Sequence, residues 1–141
     1  MPIRKNALDK NNVYHIYNRS IGGMDILSRQ SDRDRLLEAI LYYNSTEIKP
    51  KYSFSKLSCP CEIPGVKLVT IIGYCFMPTH FHLILRQDHE NGITLLMRKV
   101  LNSYSSYFNR QHKRKGPLWE ARFYNVPVTT DEQLLHLSRY V

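Results

Sequence analysis

The sequence has few of the features that mark secreted and membrane proteins. It contains three cysteines, an odd number for a disulfide framework. Cys59 and Cys61, separated only by Pro60, are too close for an ordinary disulfide and lack the two-residue gap of a zinc knuckle. No apolar stretch approaches the roughly 20 residues that span a bilayer, and residues 1–12 are too polar for a signal peptide. We therefore expect reduced thiols, a cytoplasmic location and no membrane partner.

Acidic residues are also scarce. Twelve Asp and Glu stand against 20 Lys and Arg, which gives a net charge of +8. A basic balance of this size favours a polyanionic partner, and without a membrane anchor nucleic acid is the better candidate. The 141 residues are enough for one domain with one core.

Hydrophobic periodicity predicts seven elements in the order strand, helix, strand, strand, helix, strand, helix. Short links in this order are typical of an α+β fold, a ferredoxin-like two-layer sandwich whose antiparallel sheet carries helices on one face. Ser31 is a candidate cap for the first helix, Asn91 or Thr94 for the second, and Thr130 with Gln133 for the third. The predicted strands cover 11–19, 66–76, 79–86 and 118–128, and the helices cover 31–44, about 91–110 and 130–141.

Two histidines stand out in the third predicted strand. His80 and His82 alternate with Phe81 and Leu83, so both imidazoles should face one side of the sheet and the apolar residues the other. Neighbouring imidazoles on a rigid strand make a natural pair of metal ligands. Without further support, two polar residues on a solvated sheet face would be the simpler interpretation.

Basic and aromatic residues are interleaved between 98 and 122. Cations that neutralise phosphates and rings that stack on bases are what single-stranded nucleic-acid binding requires. Tyr104 and Phe108 continue the apolar stripe of the second helix and are expected in the core. The run Lys113 to Lys115 is expected to contact phosphate.

Four segments, in order along nearly the whole chain, resemble the single-tyrosine HUH transposases, and most closely the REP-associated tyrosine transposases. The segments are Tyr14-His15-x-x-Asn18-Arg19, Met77-Pro78-x-His80-Phe81-His82, Ser103-Tyr104-x-x-Tyr107-Phe108-Asn109-Arg110 and Gly116-x-Leu118-Trp119-x-x-Arg122-Phe123. The second contains the two histidines around a hydrophobic residue that give the HUH motif its name.

The resemblance implies an endonuclease and transposase that cleaves and rejoins single-stranded or hairpin DNA through a 5′-phosphotyrosine link, with Mg²⁺ or Mn²⁺ as cofactor. Tyr140, which follows Arg139 as in the family motif, would be the nucleophile. The metal would be held by His80 and His82, with His136 as the candidate third ligand. A nucleoid-associated location is expected, and a homodimer stays open. The expected DNA contacts are Arg19, Arg98, Lys99, Tyr107, Arg110, Lys113, Arg114, Lys115, Trp119 and Arg122.

The sequence departs from the family pattern in two places. It stops one residue after Tyr140, before the Asn-Pro and the polar residue that the family would use as third ligand, so we expect one HUH transposase-like domain over 1–141, truncated within its last helix. The loop Ser45–Gly65 is longer than expected. Two other interpretations stay open: a non-catalytic single-stranded nucleic-acid-binding module of the same fold, and a small zinc-stabilised interaction protein that uses Cys59, Cys61 and a histidine.

Overall fold

The computed structural model describes residues 8–47 and 66–140. Cys59, Cys61, most of the predicted loop and Val141 lie outside these ranges. The described chain forms four strands and three helices in the predicted order. They are β1 (Val13–Arg19), α1 (Gln30–Tyr43), β2 (Val69–Met77), β3 (His80–Gln87), α2 (Gly92–Gln111), β4 (Tyr124–Val128) and α3 (Asp131–Tyr140). A single turn of 3₁₀ helix, Ile21–Gly23, follows β1.

The four strands form one sheet in the order β2-β3-β1-β4, and every neighbouring pair is antiparallel. This arrangement confirms the predicted α+β, ferredoxin-like class. In the register between β1 and β3, Tyr17 lies opposite His82 and Arg19 lies opposite His80. The centre of the sheet therefore brings the end of β1 next to the histidines of β3.

One face of the sheet forms the core together with α1 and α2. Ile16 of β1 and Phe81, Leu83 and Leu85 of β3 are at most 1% exposed. The helices contribute the apolar stripes that their periodicity predicts; the members with at most 1% exposure include Leu36, Ile40, Leu96, Met97, Val100 and Tyr104. No side chain between 131 and 139 in α3 is buried, and Leu135 is 61% exposed. The core is thus complete without the described side chains of α3.

Two predicted boundaries are wrong, each for a local reason. β4 begins at Tyr124 rather than Leu118, because residues 118–123 dock against the end of β1 instead of extending the ladder: Trp119 pairs with Ser20 in an isolated bridge, and the buried Asn18 amide donates to the carbonyl of Ala121 at 2.9 Å. Ser31 does not cap α1. The helix begins at Gln30, with Arg29 at the cap position and no side-chain capping bond.

The cap predicted for α3 is present. The Gln133 backbone N–H donates to Thr130 Oγ1 at 3.1 Å, and the Thr129 backbone N–H donates to Gln133 Oε1 at 2.8 Å. These bonds satisfy free donors at the start of the helix. Among the described helices, none combines the length and the apolar character that crossing a membrane would need.

Candidate metal and nucleic-acid site

The open face of the sheet, opposite α1 and α2, carries the paired histidines. The ring centroids of His80 and His82 are 5.1 Å apart, and both side chains are half-buried. Phe81 and Leu83, which alternate with them, are buried in the core. The predicted placement of both imidazoles on one face is confirmed.

A cleft of about 580 Å³ lies beside this pair. Its walls come from the end of β1, the start of β3 and the 3₁₀ turn between β1 and α1. Gly22 and Gly23 in that turn have φ of 64° and 68°, a backbone conformation that favours glycine, although a Cβ at either position would meet no atom within 4 Å. The lining residues are Tyr17, Asn18, Arg19, Ser20, Gly22, Gly23, Thr79, His80, His82 and Glu120.

Arg19 supplies the positive charge of the cleft. Its Nε lies 3.4 Å from Glu120 Oε2, and its side chain is 59% exposed. The other oxygen of Glu120 accepts a hydrogen bond from the Tyr124 hydroxyl at 3.0 Å. Exposed ion pairs of this kind contribute little to stability, so Arg19 can exchange its carboxylate partner for a phosphate at small cost.

A third imidazole joins the pair from β1. His15 Nε2 lies 2.9 Å from His82 Nδ1, and Thr79 Oγ1 lies 3.1 Å from His80 Nδ1. Neither His15 nor Tyr17 was among the site residues predicted from the sequence. The signal was available, because alternation along β1 puts His15, Tyr17 and Arg19 on one face. What the sequence does not contain is the strand register that brings this face beside His82.

Burial favours the neutral form of His82 and of His15. It lowers the pKa of His82 to about 4, with smaller contributions from His15 and His80, and it also lowers the pKa of His15. A neutral imidazole has a lone pair that it can offer to a metal ion, whereas an imidazolium has none. The imidazole nitrogens of His80 and His82 therefore suit a divalent transition-metal ion better than a set of charged oxygen ligands would.

The shifted pKa predicts acid sensitivity of the metal-free protein. A histidine in the unfolded chain has a pKa near 6.5. Between about pH 6.5 and 4, residue 82 is therefore protonated in the unfolded chain and neutral in the folded protein. The stability from neutral His82 is complete above pH 6.5 and is lost as pH falls toward 4. Thermal unfolding in EDTA from pH 7 to 4.5 should show a smaller loss of stability in His82→Gln than in the wild type. The wild type should take up about one more proton on unfolding than His82→Gln does. Parallel curves of stability against pH for the two proteins would contradict the lowered pKa of His82.

The remaining predicted metal and catalytic residues lie in α3. His136 is exposed, and within residues 8–47 and 66–140 no three His, Cys, Asp or Glu side chains are grouped as a metal site. The structure thus does not bring His136 to the histidine pair, and a third ligand stays a prediction. Tyr140 is described only as the last residue of α3.

Two other tyrosines belong to the helical layer. Tyr104 is fully buried, its hydroxyl donates to the Ile26 carbonyl, and burial raises its pKa. This confirms its predicted place in the core. The Tyr107 hydroxyl donates to the buried carboxylate of Asp32 at 2.9 Å and its pKa is raised, first by burial and then by that bond. Both phenols therefore lie on the helix side of the sheet, away from the histidine face.

Apart from Arg19 and Tyr107, whose partners are Glu120 and Asp32, the predicted DNA contacts fall into two groups. Arg114 and Trp119 have structural partners: Arg114 donates to Asn109 Oδ1 at 2.7 Å and to the Pro117 carbonyl at 2.8 Å, while the Trp119 indole donates to the Leu101 carbonyl at 3.2 Å. The other cations have side chains open to a partner. Those that are exposed are Arg98, Arg110, Lys113, Lys115 and Arg122, and Lys99 is half-buried.

Solved structures with a similar fold include two proteins described as transposases. One is a REP-associated tyrosine transposase bound to a REP hairpin, with a TM-score of 0.65 and 12% identity over 99% of this chain and 69% of that one. The other is a protein from Deinococcus radiodurans R1 provisionally assigned as a transposase, with a TM-score of 0.54 and 14% identity over 99% of this chain and 95% of that one. At such low identities the likeness shows the fold alone.

Sequence comparison identifies the family directly. No curated protein matches the chain. A family profile described as transposase IS200 like matches residues 46–141, which is more than half of the sequence and includes both histidines of β3. The resemblance found in the motifs is therefore confirmed, and the chain belongs to the family of IS200-like transposases.

Proposed function

We propose that this chain cuts and rejoins single-stranded or hairpin DNA by forming a covalent link between DNA and Tyr140. His80 and His82 would hold Mg²⁺ or Mn²⁺, and Arg19 would bind a phosphate in the cleft beside them. The observation that carries the proposal is the pair of imidazoles on the open sheet face, next to an exposed arginine, in a chain of the IS200-like transposase family.

The chemistry is a transesterification. The phenolic oxygen of Tyr140 loses its proton and bonds to the phosphorus, the bond from phosphorus to the 3′ oxygen breaks, and that oxygen takes up a proton to become the free 3′-hydroxyl. A phenol with a pKa near 10 is a weak nucleophile at pH 7. When bound, the metal would polarise the phosphate and lower the barrier to attack. Arg19 would add positive charge on the substrate side of the cleft.

Covalent capture tests this proposal. The protein is incubated with Mn²⁺ and with single-stranded DNA labelled at its 3′ end, because the 3′ fragment is the one that stays on the tyrosine, and is then denatured. Label that migrates with the protein, and only when Mn²⁺ is present, is the expected result. A non-catalytic binding module would retain DNA under native conditions and lose all label on denaturation. That outcome would replace the proposal with the binding function.

We expect the exposed lysines after α2 to bind phosphate and not bases. Lys113→Asn with Lys115→Gln removes two charges; Asn suits position 113 because φ there is 49°. Affinity should fall alike for all DNA sequences, and the slope of log affinity against log salt should flatten by about 0.7 for each phosphate that is no longer neutralised. Arg114 is not substituted, because its hydrogen bonds to Asn109 and Pro117 stabilise the loop after α2.

A matched control removes two charges at the other end of the sheet. Lys10 precedes β1 and Lys67 precedes β2, and both are exposed. Lys10→Gln with Lys67→Gln should leave the salt slope near the wild-type value. If both double variants flatten the slope equally, net charge and not a local phosphate contact determines binding.

A further inference from the structure

The most informative feature outside the proposed machinery is the hydrogen bond between His15 and His82. The two ring centroids are 5.1 Å apart, the planes are inclined by only 23°, and His15 Nε2 lies 2.9 Å from His82 Nδ1. With nitrogens this close and planes nearly parallel, the rings meet edge to edge, which is the geometry of an in-plane N–H···N bond. One proton occupies this bond, so the two rings must hold complementary tautomers.

We infer that His15 is a positioning residue that sets the tautomer and orientation of His82. If His82 Nδ1 carries the proton and donates to His15 Nε2, the lone pair of His82 is on Nε2. If instead His15 donates, His82 carries its proton on Nε2 and cannot offer that atom to an ion. Metal-binding histidines are commonly fixed by a partner on the other ring nitrogen, usually a carboxylate, carbonyl or water. In this protein the partner on the other ring nitrogen is the imidazole of His15, from the neighbouring strand.

The other histidine of the pair is held in a parallel way. Thr79 Oγ1, in the turn between β2 and β3, lies 3.1 Å from His80 Nδ1, so the Nδ1 atom of each histidine has a hydrogen-bond partner. On this assignment Nε2 is the ligating nitrogen of both rings. The strand register maintains this arrangement, because Tyr17 opposite His82 puts His15 at the diagonal position of β1. The inference rests on the proposed function for the metal ion at His80 and His82. The His15–His82 hydrogen bond does not depend on that function.

Two substitutions at position 15 separate the bond from the packing. His15→Leu keeps a side chain of similar size and removes the acceptor. His15→Gln places an amide oxygen within reach of His82 Nδ1 and can restore it. His89→Leu is the control, since His89 is exposed and lies in the link between β3 and α2.

The primary measurement is the His82 tautomer in the metal-free protein, read from long-range ¹H–¹⁵N spectra of the imidazoles. We expect the proton on Nδ1 in the wild type, in His15→Gln and in His89→Leu, and a mixture of tautomers in His15→Leu. Mn²⁺ titration by electron paramagnetic resonance should then show about 10- to 100-fold weaker binding in His15→Leu, with most of the affinity kept in His15→Gln.

A proton on Nε2 of His82 in the wild type would overturn the inference, as would a His15→Leu variant with the wild-type tautomer. Unchanged Mn²⁺ affinity in His15→Leu would do the same. If the wild type itself binds no Mn²⁺, the proposed function fails, while the tautomer spectra still decide whether His15 positions His82.

Discussion

Tyr140→Phe should lose the covalent DNA adduct completely and keep DNA and Mn²⁺ binding. The substitution removes one hydroxyl, whose oxygen is the only atom of that side chain that can bond to phosphorus, and it retains an aromatic ring in the side chain. The adduct assay with labelled single-stranded DNA and Mn²⁺ measures the loss, and a gel-shift assay on the same samples measures the retained binding.

The matched control is Tyr17→Phe. Tyr17 lies in the cleft, and its ring centroid is 6.0 Å from that of His82. It is therefore a phenol that the structure places on the histidine face, whereas Tyr107 is bound to Asp32 in the helical layer. Label that survives in Tyr140→Phe and disappears in Tyr17→Phe would assign the nucleophile to Tyr17.

His82→Ala should abolish Mn²⁺-dependent adduct formation. Substitution of an outer partner of a metal ligand typically costs about 10- to 100-fold, so removal of a ligand should reduce the adduct by more than about 100-fold. The variant should stay folded, because His82 lies on the open face and not among the core side chains opposite. The adduct yield and a far-ultraviolet circular dichroism melt are measured on the same preparation.

His89→Ala provides the comparison for this variant. It removes an imidazole that lies in the link between β3 and α2, so its adduct yield should equal that of the wild type. A His82→Ala protein that melts normally and still forms the adduct at the wild-type level would show that the histidine pair does not support the reaction.

Local sequence patterns predicted the parts of this structure that depend on local periodicity. Alternation in β3 is sufficient to put His80 and His82 on one face, because Phe81 and Leu83 must be buried on the other. The stripe of α2 similarly predicts that Tyr104 is in the core. These features need no knowledge of which strand is next to which.

The features that sequence patterns did not predict depend on pairing between distant elements. The His15–His82 bond joins residues 67 positions apart, and it exists only because of the register between β1 and β3. Asn44 is a second example, because the sequence predicts only that a helix ends there. In the structure, its side-chain amide accepts hydrogen bonds from the Leu68 and Val69 backbone N–H groups and donates one to the Val69 carbonyl. The buried amide thereby fixes the start of β2.

Trp119 has a practical consequence for every variant considered above. It is the only tryptophan in the sequence, its ring meets Phe81 edge-on at a centroid distance of 5.4 Å, and its indole N–H is bonded inside the protein. Its fluorescence emission therefore reports on the contact between residues 118–120, β3 and α2. If a variant fails to react but its Trp119 emission matches that of the wild type, this contact is intact and the loss lies in the reaction and not in folding. Trp119 therefore serves as a built-in probe of folding in each variant.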